Sequence, residues 1–140
     1  MDRGFFGWIV YILEEYWPYF LRGTWITLVI AVLGTLIGFV LGFLIGMVES
    51  VPMPEKGNPL KKLFLWIIRI ICKIFVEVFR GTPMMVQAMV LYYGIRQIYD
   101  GLSPFGAAVL VTLLNTGAYM AETVRGGIIS VDPGQIEGAR

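Results

Sequence analysis

Apolar and polar positions divide the chain into long uncharged runs separated by short charged or proline-rich breaks. The clearest run covers residues 24–48, with Arg22 and Glu49 as the nearest charges outside it. Its length, about 25 residues, exceeds the roughly 20 that a helix needs to cross a hydrocarbon core. A buried helix of a soluble protein this long would carry polar residues along one face. Within the run, Gly34, Gly38, Gly42 and Gly46 recur at every fourth position. Such a ridge of small residues lets a second helix approach closely in lipid. Glycine is also common in membrane helices generally, but four in register favour a helix-packing face.

The stretch before this run, 5–21, is dense in aromatics: Phe5, Phe6, Trp8, Tyr11, Tyr16, Trp17, Tyr19 and Phe20. Rings of this kind suit the membrane–water boundary, where the body is buried and a polar tip stays wet. Residues 1–23 are therefore expected to form an interfacial segment, with Pro18 marking the end of its helix or loop. After Val48, a connector over 49–62 carries Pro52, Pro54, Gly57 and Pro59 and reads as an aqueous loop. Residues 60–79 are apolar but hold Arg69, Lys73, Glu77 and Arg80 at spacings of four, four and three, which place all four on one helical face. That helix can lie along the membrane surface, or enter it with the charged face against protein. Alternatively its cations snorkel at the end of a longer span. Gly81-Thr82-Pro83 punctuates the run, and the uncharged residues after it are expected to complete a span over 64–98. A turn with Asp100, Gly101, Ser103 and Pro104 precedes a third span over 104–122, and residues 123–140 are again aqueous in character.

The fold class expected is all-α, a polytopic transmembrane helical protein with about three spans. Composition agrees: 57% of the 140 residues are hydrophobic, against about 45–50% in a soluble domain. The net charge of +1 gives no reason to expect a nucleic-acid partner. Histidine is absent, which removes the commonest general base and metal ligand, and the single cysteine, Cys72, lies in an apolar stretch. The first residues lack the basic, apolar and small-residue order of a cleaved signal peptide. No phosphate-binding glycine loop, cysteine pair or histidine motif occurs, so no catalytic site, metal site or cofactor is expected and the chain should not hydrolyse ATP. Lys56, Lys61, Lys62, Arg69, Lys73 and Arg80 cluster in and after the connector. Basic loops stay in the cytoplasm. That places the N-terminus outside, the 49–62 connector inside, the turn near residue 100 outside and the tail after Glu122 inside.

Polar side chains inside spans usually face protein or a water-filled cavity. Gln87, Asn115, Thr116, Tyr119 and Glu122 are accordingly the candidates for a substrate pathway. Asn115, Tyr119 and Glu122 share a helical face at offsets of four and three. They serve equally well as hydrogen-bonding glue between helices. Arg80 reads as structural, paired with Glu77 or capping a helix end, and Tyr92 and Tyr93 as anchors at the outer interface.

Two segments are more specific. Val78-Phe79-Arg80-Gly81-Thr82-Pro83 runs through Met84-Met85-Val86-Gln87, with Tyr92-Tyr93-Gly94 behind it. Asn115-Thr116-Gly117-Ala118-Tyr119-Met120-Ala121-Glu122 leads to Arg125-Gly126-Gly127-Ile128, Ser130-Val131, Pro133-Gly134-Gln135 and Glu137-Gly138-Ala139. Together, in order and at matching spacing over nearly the whole chain, they closely resemble the permease subunits of bacterial ATP-binding-cassette (ABC) importers for polar amino acids, of the histidine/glutamine type. The resemblance implies a five-span type I importer core that pairs with a second permease subunit, as homo- or heterodimer. It implies cytoplasmic ABC ATPase subunits, an extracytoplasmic solute-binding protein and an amino-acid substrate as partners. It also implies a cytoplasmic coupling helix, the E-A-A loop, seated on the ATPase and here formed by Gly134, Gln135, Glu137, Gly138 and Ala139.

Two departures stand out. Gly138 replaces the middle alanine, which weakens a helix by roughly 1 kcal/mol. The chain also ends at Arg140 inside the loop and so reads as a truncated gene product or fragment, not expected to transport alone. Ser130 or Asp132 can cap the short helix, with Pro133 at its first position. Two other functions remain open from the residues: an ATPase-independent channel or secondary transporter, and a non-transporting membrane anchor or assembly fragment.

Overall fold

The computed structural model describes residues 4–52 and 58–138. Among them are five helices: α1 (Phe5–Ser50), α2 (Pro59–Gly81), α3 (Met84–Ile98), α4 (Pro104–Ile129) and α5 (Pro133–Gly138). The architecture is all-α, and α1 and α4 are each long and apolar enough to cross a membrane.

Helix α1 continues through Pro18, so proline does not end a helix there as the sequence suggests. Proline removes one N–H bond and crowds the carbonyl four residues before it, here Glu14. The turns on both sides keep their own bonds, and the helix carries on across the gap. At 46 residues α1 is longer than any single span requires: with a rise of about 1.5 Å per residue it measures about 69 Å, against a hydrocarbon core of about 30 Å.

The α1–α4 pair is the centre of the fold. Gly34, Gly38, Gly42 and Gly46 are all buried, and the missing side chains let α4 close onto them. A Cβ at Gly34 would stand 2.7 Å from Thr112 Cβ, one at Gly38 2.6 Å from the Leu113 carbonyl oxygen, and one at Gly46 2.8 Å from Val124 Cβ. A Cβ at Gly42 would collide with the Gly117 carbonyl oxygen and stand 2.6 Å from Met120 Cβ. On α4 the ridge meets Thr112, Leu113, Thr116, Gly117, Met120, Ala121 and Val124, with Gly117 and Ala121 bringing the α4 backbone close. Contacts advance in the same direction on both helices, so α1 and α4 run parallel.

The run over 64–98 is two helices, divided at Thr82 and Pro83. Proline disfavours helical backbone in the residue before it, and Thr82 is extended at φ −113°, ψ 142°. Helix α2 starts where the Asn58 side chain accepts the Leu60 N–H at 3.1 Å, with Pro59 in the first turn. Ser103 caps α4 in the same way, accepting the Gly106 N–H at 3.0 Å.

Candidate functional site

Two adjoining polar clusters lie along α4: one at its middle, where α2 breaks into α3 beside Asn115, and one between there and the end of α1. The first is built on the break. Helix termini leave carbonyls without partners, and Gln87, in the first turn of α3, satisfies those of α2. Its amide donates to Phe79 O at 2.8 Å, Thr82 O at 2.9 Å and Thr82 Oγ1 at 2.9 Å. Gln87 is buried, at 7% exposure. From α4, Asn115 donates to Gln87 Oε1 at 3.4 Å and to Phe79 O at 3.5 Å. The break is thus tied shut on itself and fastened to α4.

The second cluster is charged. The face of α2 that carries Arg69, Lys73, Glu77 and Arg80 is turned inward and lines a cleft of about 470 Å³ with Glu49 of α1, Glu122 and Arg125 of α4, and Val76. Arg69 donates to Val48 O and Glu49 O, each at 3.4 Å, so its cation sits on the open C-terminal carbonyls of α1. Glu122 accepts two bonds from Arg125, at 2.7 and 3.1 Å, in the fork geometry of a bidentate pair. Arg80 reaches the same carboxylate at 3.5 Å and lies over the Tyr119 ring, 5.6 Å from its centre. Arg80 therefore pairs with Glu122 and not with Glu77, which instead meets Lys73 at 3.8 Å on the exposed rim.

The five pathway candidates fall into three groups. Gln87 and Asn115 meet at the break, and Tyr119 and Glu122 meet through Arg80. Thr116 turns to α1, where its Cβ would stand 2.8 Å from a Cβ at Gly38. In the tail, α5 begins at Pro133, and Asp132 Oδ1 accepts the Gly134 N–H at 2.7 Å. Gly134, Gln135 and Gly138 are exposed. Ala139 and the side chain of Glu137 lie outside the described residues. Sequence reasoning missed Arg69 as the cap of α1 and Arg80 as the partner of Glu122. The signal for the first was a cation four residues from another on one face; which helix end it would meet was not written there.

These features define the class: an all-α polytopic membrane protein with close small-residue packing and polar groups gathered between the middle of α4 and the end of α1. The family described as the binding-protein-dependent transport system inner membrane component matches residues 62–140, more than half of the chain, and the chain belongs to that family. The glutamine transport system permease protein of Escherichia coli is 41% identical over 71 residues, 49% of this chain and 32% of that protein. The arginine transport system permease protein of Bacillus subtilis is 35% identical over 123 residues, 87% of this chain and 51% of that protein. A crystal structure of an amino acid ABC transporter with histidines superimposes over 100% of this chain and 57% of its own, with a TM-score of 0.76 at 31% identity. The chain spans about a third to a half of the curated relatives it matches most strongly. The family is a transport component and not an enzyme family.

Proposed function

We propose that the chain is part of the membrane-spanning permease subunit of an ABC importer for polar amino acids, acting with a separate ATPase, a second permease subunit and a solute-binding protein. The observation that carries this reading is the continuity of α4. The helix runs from the Gln87–Asn115 contact through the Glu122 cluster and, after one turn, into the short capped helix α5. A rigid push on α5 is delivered directly to the polar centre of the bundle. The names of the relatives, permeases of glutamine and arginine transport systems, supply the substrate class.

Gly134, Gln135, Glu137, Gly138 and Ala139 form the ATPase contact in this proposal. ATP hydrolysis belongs to the partner and not to this chain. Gln87, Asn115, Thr116, Tyr119 and Glu122 border the pathway, with Gln87 and Asn115 holding its wall through hydrogen bonds already made. The N-terminus lies outside the membrane, while the 49–62 connector and the C-terminal segment are cytoplasmic. The parallel course of α1 and α4 supports this, because it brings Ser50 and Ile129 to the same end of the bundle. The ATPase-independent and anchor readings gain nothing from a family defined by dependence on a binding protein.

The test is reconstitution of the full subunit into vesicles with its ATPase and binding protein. Uptake of a labelled polar amino acid is expected only with hydrolysable ATP. Uptake that persists without the ATPase would overturn the reading, as would an assembled complex that hydrolyses ATP and moves no amino acid.

A further inference from the structure

The ion pair between Arg80 and Glu122 joins two helices, whereas Lys73–Glu77 and Arg125–Glu122 stay within one helix each. Its position is notable: Arg80 directly precedes the Gly81–Pro83 break, and Glu122 lies on the stretch of α4 that leads to α5. Each of the two ions also has a second partner on its own helix. Glu122 already holds Arg125 at 2.7 Å, closer than Arg80 at 3.5 Å. Arg80 has Glu77 three residues before it, lining the same cleft and, among the described residues, engaged only by Lys73 at 3.8 Å, with both of those side chains about two-thirds or more exposed. Ordinarily, separating a partly desolvated pair is costly because it strands a charge. Here the contact between helices can open with neither charge stranded: Glu122 stays with Arg125, and Arg80 passes to Glu77 at an i, i+3 spacing favourable on a helix.

We propose that Arg80 is a positioning residue of a charge-exchange latch, which fastens the α2–α3 break to α4 in one state of the transport cycle and releases it to Glu77 in the other. The latch deepens the transport reading and rests on it. Closed, Arg80 stands over Tyr119 and braces the wall made by Gln87 and Asn115. Open, the break keeps only the long Asn115 hydrogen bonds to α4, at 3.4 and 3.5 Å, and yields more easily when α5 is displaced.

Two experiments on the full subunit test this separately from transport itself. In detergent, R80Q, E122Q and the double variant form a double-mutant cycle. Partly exposed pairs of this kind predict a coupling of about two- to fivefold in the unfolding equilibrium. Independent, additive effects would overturn the latch, whatever the protein transports. In the assembled importer, E77Q leaves the closed latch intact and removes the second seat of Arg80. Amino acid moved per ATP hydrolysed is expected to fall several-fold while assembly and thermal midpoint stay unchanged, and E77D is expected to restore it. An unchanged ratio in E77Q would overturn the exchange. Failure of the unaltered importer to move any amino acid would instead sink the transport reading and leave the coupling cycle still readable.

Discussion

At the scale of single residues, Gln87 shows how a side chain with pathway chemistry can be committed to architecture. Its amide donates toward three acceptors at 2.8–2.9 Å, and its carbonyl takes the Asn115 amide. Any ligand seated on that amide would first displace the seal on the end of α2. Leaving buried backbone carbonyls without partners costs about 1–3 kcal/mol. Gln87→Leu, close in volume, is therefore expected to destabilise the purified protein by about that amount, read as a lower unfolding midpoint in detergent. An unaltered midpoint would mean that water or a neighbour replaces the amide and that the seal is dispensable. The sequence shows Gln87 as a polar residue in an apolar run; its partner on α4, Asn115, stands 28 positions away along the chain, which no local pattern connects. Arg80 was hidden for the same reason. Spacing on one helix points to Glu77, while the contact made depends on how α2 crosses α4.

Between elements, the decisive quantity is how closely α1 and α4 approach. The period-four glycines were legible as a pattern, because a flat ridge needs only small residues on one face. The identity of the helix on that ridge was not, since the complementary face of α4, with Leu113, Gly117, Met120, Ala121 and Val124, reads as an ordinary apolar stretch. Gly42→Leu would drive a side chain into the Gly117 carbonyl and Met120. Overpacking of this kind costs about 1–3 kcal/mol or more, and the backbone on the α4 side has little room to yield. Gly23, with open space around its Cβ position, supplies the control: Gly23→Ala is expected to leave stability unchanged or raise it slightly. Equal midpoints for the two variants would show that the glycine face does not set the α1–α4 distance. Pro18 teaches the converse lesson. A local breaker was overridden within a helix whose other turns remain intact.

For the whole molecule, the all-α membrane class was readable from uncharged runs alone, because lipid demands that backbone groups be satisfied within helices. The arrangement of the runs was less so. Residues 64–98 resembled one span, yet Thr82 and Pro83 divide them into helices that serve different purposes. The first half of α2 carries exposed Leu60, Phe64 and Trp66, while α3 packs back along α4. Parallel α1 and α4 impose a constraint that charge counting does not. If 24–48 crosses from outside to inside, 104–122 must cross in the same sense, and α2 with α3 must return the chain between them. Arg69, at the end of α1, then sits where positive charge is retained. Single cysteines at Ser130 and at Gly101, in a chain with Cys72 replaced by Ala, are expected to label differently in intact cells. The Gly101 position should react with a membrane-impermeant maleimide from outside, and the Ser130 position only after the membrane is opened. Both sites reacting from the same side would break the alternation of spans. It would also remove α5 from reach of a cytoplasmic motor, even though the helices themselves would still pack as they do.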